Sequence, residues 1–312
     1  MNDVYQKYEL TKGNHLRYYF NNNVQQNWRM HPYETAHCKV GTGYQYNAKS
    51  FVESLTTTAH TLYDRHGSNF LLFLSGGLDS EIAFRIFYIN EMPVTPIIVR
   101  FADDLNLGDV HDAILLCKKF GVTPVIYDID PREFFLSGDW RQIAETYQCY
   151  SFYQQLLLGI AEKLKTPMIT IDEVEISKYE QTWFFSKKED QDACWHRFVD
   201  RTDILAYNNF YTYDPDTILA FIECSTVQNL INNRTPGKLS WTSSKHAIYT
   251  ELTGFDLQRR YKRTGMEKMM NIWDYVLEHS ARILFESPAT FNFNAHKLSH
   301  LKLGKEITCN SV

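Results

Sequence analysis

Between residues 69 and 171 the chain alternates short apolar runs with amphipathic stretches, which predicts strands and helices in turn. Phe70–Leu74 is apolar throughout, the pattern of a central parallel strand covered on both faces. Residues 78–91 set Ile82, Ile86 and Ile89 on one stripe with Ala83 and Phe87 beside it, a helix with its apolar face on the core. Val94–Phe101 predicts a second strand. Asp109 is placed to cap the next helix, where Val110, Ala113, Ile114, Cys117 and Phe120 recur at helical spacing before Gly121 ends it. Val122–Tyr127 reads as a third strand, residues 131–165 as helices and Pro167–Ile171 as another buried strand. A βαβαβ order with such short connections requires parallel strands, right-handed crossovers and a ligand at the carboxyl ends of the strands.

The pattern differs on either side. Roughly the first 60 residues are polar and irregular, punctuated by Asn21-Asn22-Asn23 and Gly41-Thr42-Gly43. Trp183-Phe184-Phe185 and the segment Ala193–Phe198 flank the polar Lys187–Asp192 stretch like a hairpin or an exposed loop. From Pro215 the chain reads as mostly helical, most clearly at Thr217–Ile231 and Met266–Ile283. The expected organisation is an N-terminal extension over 1–65, a doubly wound parallel α/β domain over 66–180 and a mostly helical C-terminal lobe over 181–312.

Composition narrows the partners. A net charge of −5 argues against a broad basic surface and so against nucleic acid. The six cysteines form no Cys-x-x-Cys pair and no metal-ligand rhythm, which suits reduced thiols and a cytoplasmic location. The start lacks a basic region followed by an apolar stretch, and no run of 18 apolar residues occurs, so neither export nor membrane insertion is expected.

The chemistry concentrates where the first strand of the series ends, at Ser75-Gly76-Gly77-Leu78-Asp79-Ser80. Two glycines let the backbone approach a ligand closely. The helix that opens immediately afterwards directs its unpaired amides and positive dipole end at the same spot. Hydroxyls at Ser75 and Ser80 add donors, while the Asp79 carboxylate would repel a naked phosphate but suits one carrying a divalent cation. A metal-bound polyphosphate is the ligand these residues imply. No Gly-x-x-x-x-Gly-Lys-Ser/Thr occurs, so the common P-loop is not the pattern.

The six positions resemble the Ser-Gly-Gly-x-Asp-Ser loop of the N-type ATP pyrophosphatases, the PP-loop superfamily, and over about residues 68–265 the chain looks closest to the synthase domain of asparagine synthetase, without its glutaminase domain. That resemblance implies an α/β fold of the adenine nucleotide alpha hydrolase-like (HUP) type, with ATP and Mg2+ as cofactors. It also implies an AMP-forming carbon–nitrogen ligase that adenylates a carboxylate or carbonyl oxygen and releases pyrophosphate. In this picture Ser75 to Ser80, Arg100 and Arg260 bind nucleotide, and Asp79 and Lys262 are catalytic. Asp79 and Asp172 hold the metal, with Glu173 or Glu175 as alternatives to Asp172. The Asp172-Glu173 pair lies at a strand end, as in asparagine synthetase, but without the glycines found there. The segments Lys245-His246-Ala247-Ile248-Tyr249 and Arg260-Tyr261-Lys262-Arg263-Thr264-Gly265 look like that family's C-terminal segment, where an Arg-x-Lys pair precedes a glycine. A lysine there suits charge building on departing pyrophosphate. Position 2 is Asn2 rather than the cysteine nucleophile of a glutaminase, so the nitrogen would come from free ammonia, an ammonia-supplying partner or an amine substrate.

Other residues are weaker candidates. Arg100 serves the nucleotide or pairs with Asp103 or Asp104, Asn106 touches ligand or begins a helix, and His111, His196 and His246 read as structural. Three alternatives stand beside the ligase. The first is a nucleobase- or tRNA-modifying enzyme of the same superfamily, the second an ATP-binding module without turnover. The third is a sulfonucleotide reductase, against which Cys309 lacks the glycine and histidine neighbours expected.

Overall fold

The computed structural model describes residues 2–3, 16–24, 33–40, 49–149, 151–171, 175–180, 182–188, 192–208, 210–232, 241–260, 265–269, 290–294 and 306–307. In chain order the elements begin with β1 (Asn2–Asp3), β2 (Leu16–Val24), β3 (Tyr33–Val40), α1 (Phe51–His66), β4 (Leu71–Phe73), α2 (Leu78–Ile89), β5 (Thr95–Phe101), α3 (Leu107–Lys119) and β6 (Val125–Ile129). They continue with α4 (Pro131–Ser137), α5 (Asp139–Tyr147), α6 (Phe152–Leu164), β7 (Met168–Ile169), β8 (Glu175–Tyr179), β9 (Thr182–Lys188), α7 (Cys194–Thr202) and β10 (Ala206–Tyr207). The last are α8 (Pro215–Glu223), α9 (Ser225–Asn232), α10 (Trp241–Thr253), β11 (Thr290–Asn294) and β12 (Glu306–Ile307).

Five strands form a parallel sheet in the order β10-β7-β4-β5-β6. The chain starts this sheet in the middle, lays β5 and β6 to one side, then returns to lay β7 and β10 on the other. Right-handed crossovers in opposite directions put helices on opposite faces. The packing agrees, because α1 rests on α2, α8 and α10 while α5 rests on α4, α6 and α7. The fold is therefore a doubly wound α/β sheet. Its strand order reverses at β4, so the crevice for a ligand lies beyond the carboxyl ends of β4 and its neighbours.

The apolar pattern decides this core. Leu72, Phe73 and Leu74 are buried, and so are Ile82, Ala83, Phe84, Ile86 and Phe87 on α2. Two residues expected on the core stripes face solvent, Ile89 at the last turn of α2 and Ile114 on α3, where Leu116 is buried instead. The helix expected to start at a capping Asp109 begins earlier. Asn106 is its N-cap, and its amide side chain makes no cap bond, because it accepts from Phe101 N–H at 2.9 Å and donates to the Val99 carbonyl at 2.9 Å. Asp109 is instead buried in the first turn.

The N-terminal region departs most from expectation. Far from being irregular, it contributes β1, β2 and β3 to an antiparallel sheet with β12. Asn21-Asn22-Asn23 lies inside β2 at a register irregularity between Asn21 and Val24, where a bulge absorbs the polar run. Helix α1 is capped reciprocally by Ser50 and Glu53, and Ser54 meets Thr217 of α8 at 2.6 Å between hydroxyls, so residues 51–66 pack with the α/β core. The strand β10 joins the parallel sheet from beyond position 180. The hairpin expected across Lys187–Asp192 does not form, because Cys194–Phe198 opens α7; Trp183–Phe185 instead lies in β9, which pairs with β8 before it and with β11. Lys187 and Asp192 are not exposed, because they neutralise one another at 2.8 Å and Asn208 donates to Asp192 at 3.0 Å. The helix expected over Thr217–Ile231 is two, α8 and α9, interrupted at Cys224. Of the expected Met266–Ile283 helix only a 3-10 turn at Met266–Met269 falls among the described residues. No helix among the described residues is long and apolar enough to cross a membrane.

Phe87 joins the layers, with its ring 5.7 Å from Phe70 and 5.6 Å from Phe210 and no surface exposed. Replacing Phe87 with Ala is expected to lower unfolding free energy by about 3–5 kcal/mol, read as a reduced urea midpoint at unchanged slope.

Candidate functional site

The turn between β4 and α2 is built from its own serines. Ser80 Oγ accepts from Ser75 N–H at 3.2 Å, lies 3.1 Å from Ser75 Oγ and donates to the Gly77 carbonyl at 3.0 Å. Gly77 N–H approaches Ser75 Oγ at 3.4 Å. Both hydroxyls expected to serve a ligand therefore also hold the turn closed. The glycines are not equivalent. Gly76 has φ +77°, and a Cβ there would lie 2.1 Å from the Asp109 carbonyl oxygen. Gly77 is extended at φ −78°, and a Cβ on it would meet nothing closer than Ser75 Oγ at 3.4 Å. Only Gly76 is demanded by the protein itself.

The first bond of α2 runs from Glu81 N–H to the Gly77 carbonyl at 3.0 Å, and no side chain caps the helix. The amides of Leu78, Asp79 and Ser80 are thus left without an intrahelical acceptor, at the positive end of the helix. This is the arrangement an anion requires, and it lies at the carboxyl end of the central strand.

Asp79 carries the turn's negative charge and is held by residues far away in sequence. Lys245 Nζ lies 2.9 Å from its Oδ2, Tyr249 donates to its Oδ1 at 2.5 Å, and Tyr211 donates to its backbone carbonyl at 2.8 Å. Lys245 and Tyr249 are four residues apart on α10, so one face of that helix presents both. Tyr211 comes from the loop after β10.

Arg260 grips the same turn. Its guanidinium donates to the Gly76 carbonyl at 2.8 Å and pairs with Glu81 at 2.9 Å. Glu81 is fully buried and is shared with Arg85, which sits one helical turn along α2 and stacks on Phe120 and Phe255. The expected nucleotide ligand Arg260 therefore positions the turn. Beside this ladder a cavity of about 450 Å³ is lined by Glu81, Arg85, His111, Asp112, Arg259 and Arg260, among others. On the other side of the turn, Ser75, Asn106, Asp109 and Tyr153 border a cavity of about 30 Å³, room for about one water. Burial, reinforced by Asp109, pushes the Tyr153 hydroxyl up to about 12.

The other expected residues lie elsewhere. Arg100 ends β5 in a cross-strand ion pair with Asp128, two bonds of 2.5 and 2.8 Å, rather than with Asp103 or Asp104. That partner holds the Asp128 carboxyl below the usual carboxylate range. Asp103 pairs with Arg132 instead. Glu175 stands on β8 opposite Ser186. Lys262, Asp172 and Glu173 lie outside the described residues. His246 bonds the Leu257 carbonyl at 2.8 Å, His111 stands 4.0 Å from Asp112, and burial with the charges of Lys187 and Arg197 pushes His196 down to about 3. Tyr211 and Glu81 were not singled out by the sequence, and Lys245 and Tyr249 only as the ends of a segment resembling the family's C-terminal one, with no contact to the turn assigned. The i, i+4 spacings of Lys245 with Tyr249 and of Glu81 with Arg85 were the signals available.

No protein-family model matches the chain, and no curated protein matches it. Among solved structures, the NMN synthetase from Francisella tularensis aligns at 18% identity and a TM-score of 0.34, over 75% of this chain and 96% of that one. The glutamine-dependent NAD+ synthetase from Acinetobacter baumannii, in complex with ADP, aligns at 12% identity and a TM-score of 0.32, over 83% of this chain and 54% of that one. At those scores neither structure assigns a family or an activity to this chain.

The two glycines separate experimentally. Gly76→Ala is expected to cost roughly 2–4 kcal/mol from the left-handed backbone and the clash at Asp109. Gly77→Ala is expected to stay within ~1 kcal/mol of the parent, as an N-cap change without a clash. Chemical denaturation of both variants checks the contrast.

Proposed function

We propose that this chain is an ATP-dependent, AMP-forming ligase of the PP-loop type. The observation that carries the proposal is the Ser75–Ser80 turn, with its uncapped helix amides, at the point where the strand order of a parallel sheet reverses. In this reading the turn receives the β and γ phosphates as the future leaving group and leaves the α phosphate facing the crevice. A substrate carboxylate oxygen attacks the α phosphorus, the bond to the bridging oxygen breaks, and pyrophosphate departs with that electron pair. A nitrogen nucleophile then adds to the activated carbon and AMP leaves.

The residues fit Mg2+ in one respect. Among the described residues no group of three or more acidic, histidine or cysteine side chains could hold a metal ion. Mg2+ characteristically binds through one or two carboxylates with substrate phosphates and water, for which Asp79, one-fifth exposed at the turn, suffices. When bound, the cation offsets polyphosphate charge. Asp172 as a second metal ligand, Arg100 at the nucleotide, and asparagine synthase-like specificity belong to the proposal at a finer level. A role for Lys262 is supported by Arg260 on the Gly76 carbonyl and by Gly265, packed so tightly on the Leu105 backbone that a Cβ would lie 2.6 Å from its carbonyl oxygen. These two residues bracket Lys262 in sequence.

A binding module without turnover is the second reading, favoured by the ion pair that already neutralises Asp79. Incubation with ATP, Mg2+ and a panel of carboxylates, with and without ammonia, separates the two. The ligase is expected to form AMP and pyrophosphate in equal amounts with one of the acceptors. ADP and orthophosphate as the sole products would exclude it, and nucleotide binding with no products across the panel favours the module.

Lys262→Ala tests the chemical role assigned to that side chain. A donor that meets charge developing on the leaving group acts mostly in the transition state, and losing one costs about 10²–10³ in rate. The variant is expected to keep ATP affinity within several-fold while pyrophosphate release slows by that factor. Unchanged turnover would remove Lys262 from the mechanism.

A further inference from the structure

We propose that Lys245 holds, in the free protein, the place that a divalent cation takes on Asp79, and that it leaves when the cation arrives. The proposal rests on the turn being a site for metal-bound polyphosphate. Its own basis is the geometry around one carboxylate. Asp79 Oδ2 faces Lys245 Nζ at 2.9 Å and Oδ1 accepts from Tyr249 at 2.5 Å, with the Asp79 and Lys245 side chains each one-fifth exposed. Each oxygen already carries one donor, so a cation that comes onto Asp79 competes with one of them. Charge decides which one. An ammonium and a divalent cation on one half-buried carboxylate repel strongly, whereas a neutral phenol does not.

The other acids near the turn are less suited. Glu81 is fully buried between Arg85 and Arg260, Asp112 lies toward Arg260, and Asp109 is buried in the first turn of α3. Asp79 stands at the start of α2 with one-fifth of its side chain exposed. Lys245 can move without its helix, because its ammonium rides on a flexible four-carbon stem and α10 is fixed against α1 and α9. Released, it stays close to the negative charge that accompanies the cation. The ion pair thus keeps Asp79 compensated while the site is free and supplies a mobile positive charge when it is filled.

The test titrates the thermal midpoint of the full chain with Mg2+ alone. Lys245→Met is expected to show the onset of the Mg2+-dependent rise in its midpoint at a concentration about tenfold below the parent, equivalent to ~1.4 kcal/mol. Lys245→Gln, which keeps a neutral polar end and guards against a folding failure of the Met variant, is expected to shift the same way. Tyr249→Phe is expected to stay within about threefold of the parent, and Asp79→Asn with Lys245→Met to lose the response. An unchanged Mg2+ dependence in both Lys245 variants, or a shift in Tyr249→Phe as large as theirs, would overturn the proposal. Binding of a non-hydrolysable ATP analogue, measured separately over the same Mg2+ range, addresses the nucleotide reading. Its absence in the parent would remove that reading while the competition between Mg2+ and Lys245 is judged on the midpoints.

Discussion

The carbonyl of Asp109 and the α-carbon of Gly76 pass so close that no side chain fits between them. This approach forces a left-handed glycine at the end of β4, and that conformation turns the chain sharply enough for α2 to begin two residues later. Everything at the site inherits its position from it. The amides of Leu78, Asp79 and Ser80 are presented together because the helix starts there without a cap. Asp109, buried in the first turn of α3, is in turn the wall against which the loop is pressed.

A turn held by one contact would still be free to open. Arg260 closes it from the other side by bonding the Gly76 carbonyl, and Arg260 is itself fixed by a carboxylate with no surface exposure. Burying Glu81 is tolerable only because two guanidinium groups share its charge. The ladder from Arg85 through Glu81 to Arg260 therefore ties residues 255–260 to the start of α2.

Asp79 draws two further segments to the same place. Its carboxylate meets two side chains of α10 and its carbonyl meets the loop after β10. A partly buried carboxylate beside a helix N-terminus needs compensation, and it is found in side chains from the second half of the chain. The doubly wound sheet makes this possible, because β10 returns to the edge beyond β7 and places its following loop at the carboxyl side, level with the turn.

Sequence by itself determined the parallel sheet and the turn, because both are written in local patterns. The five-residue apolar run Phe70–Leu74, cut off by two glycines, is too short for a buried helix and reads as a buried strand, and Ser75-Gly76-Gly77-Leu78-Asp79-Ser80 carries its own backbone demands. It did not determine what Asp79, Arg260 and Arg100 touch, since ion pairing depends on which distant charges folding brings within reach. Nor did it separate Gly76 from Gly77, because their difference is a contact with Asp109 more than thirty residues away. The N-terminal strands escaped for a related reason: Asn21-Asn22-Asn23 has turn composition, and only pairing with Tyr33–Val40 gives its backbone ladder partners. Tertiary structure decided each of these, because a side chain's partner is a property of the packed chain and not of its neighbours in sequence.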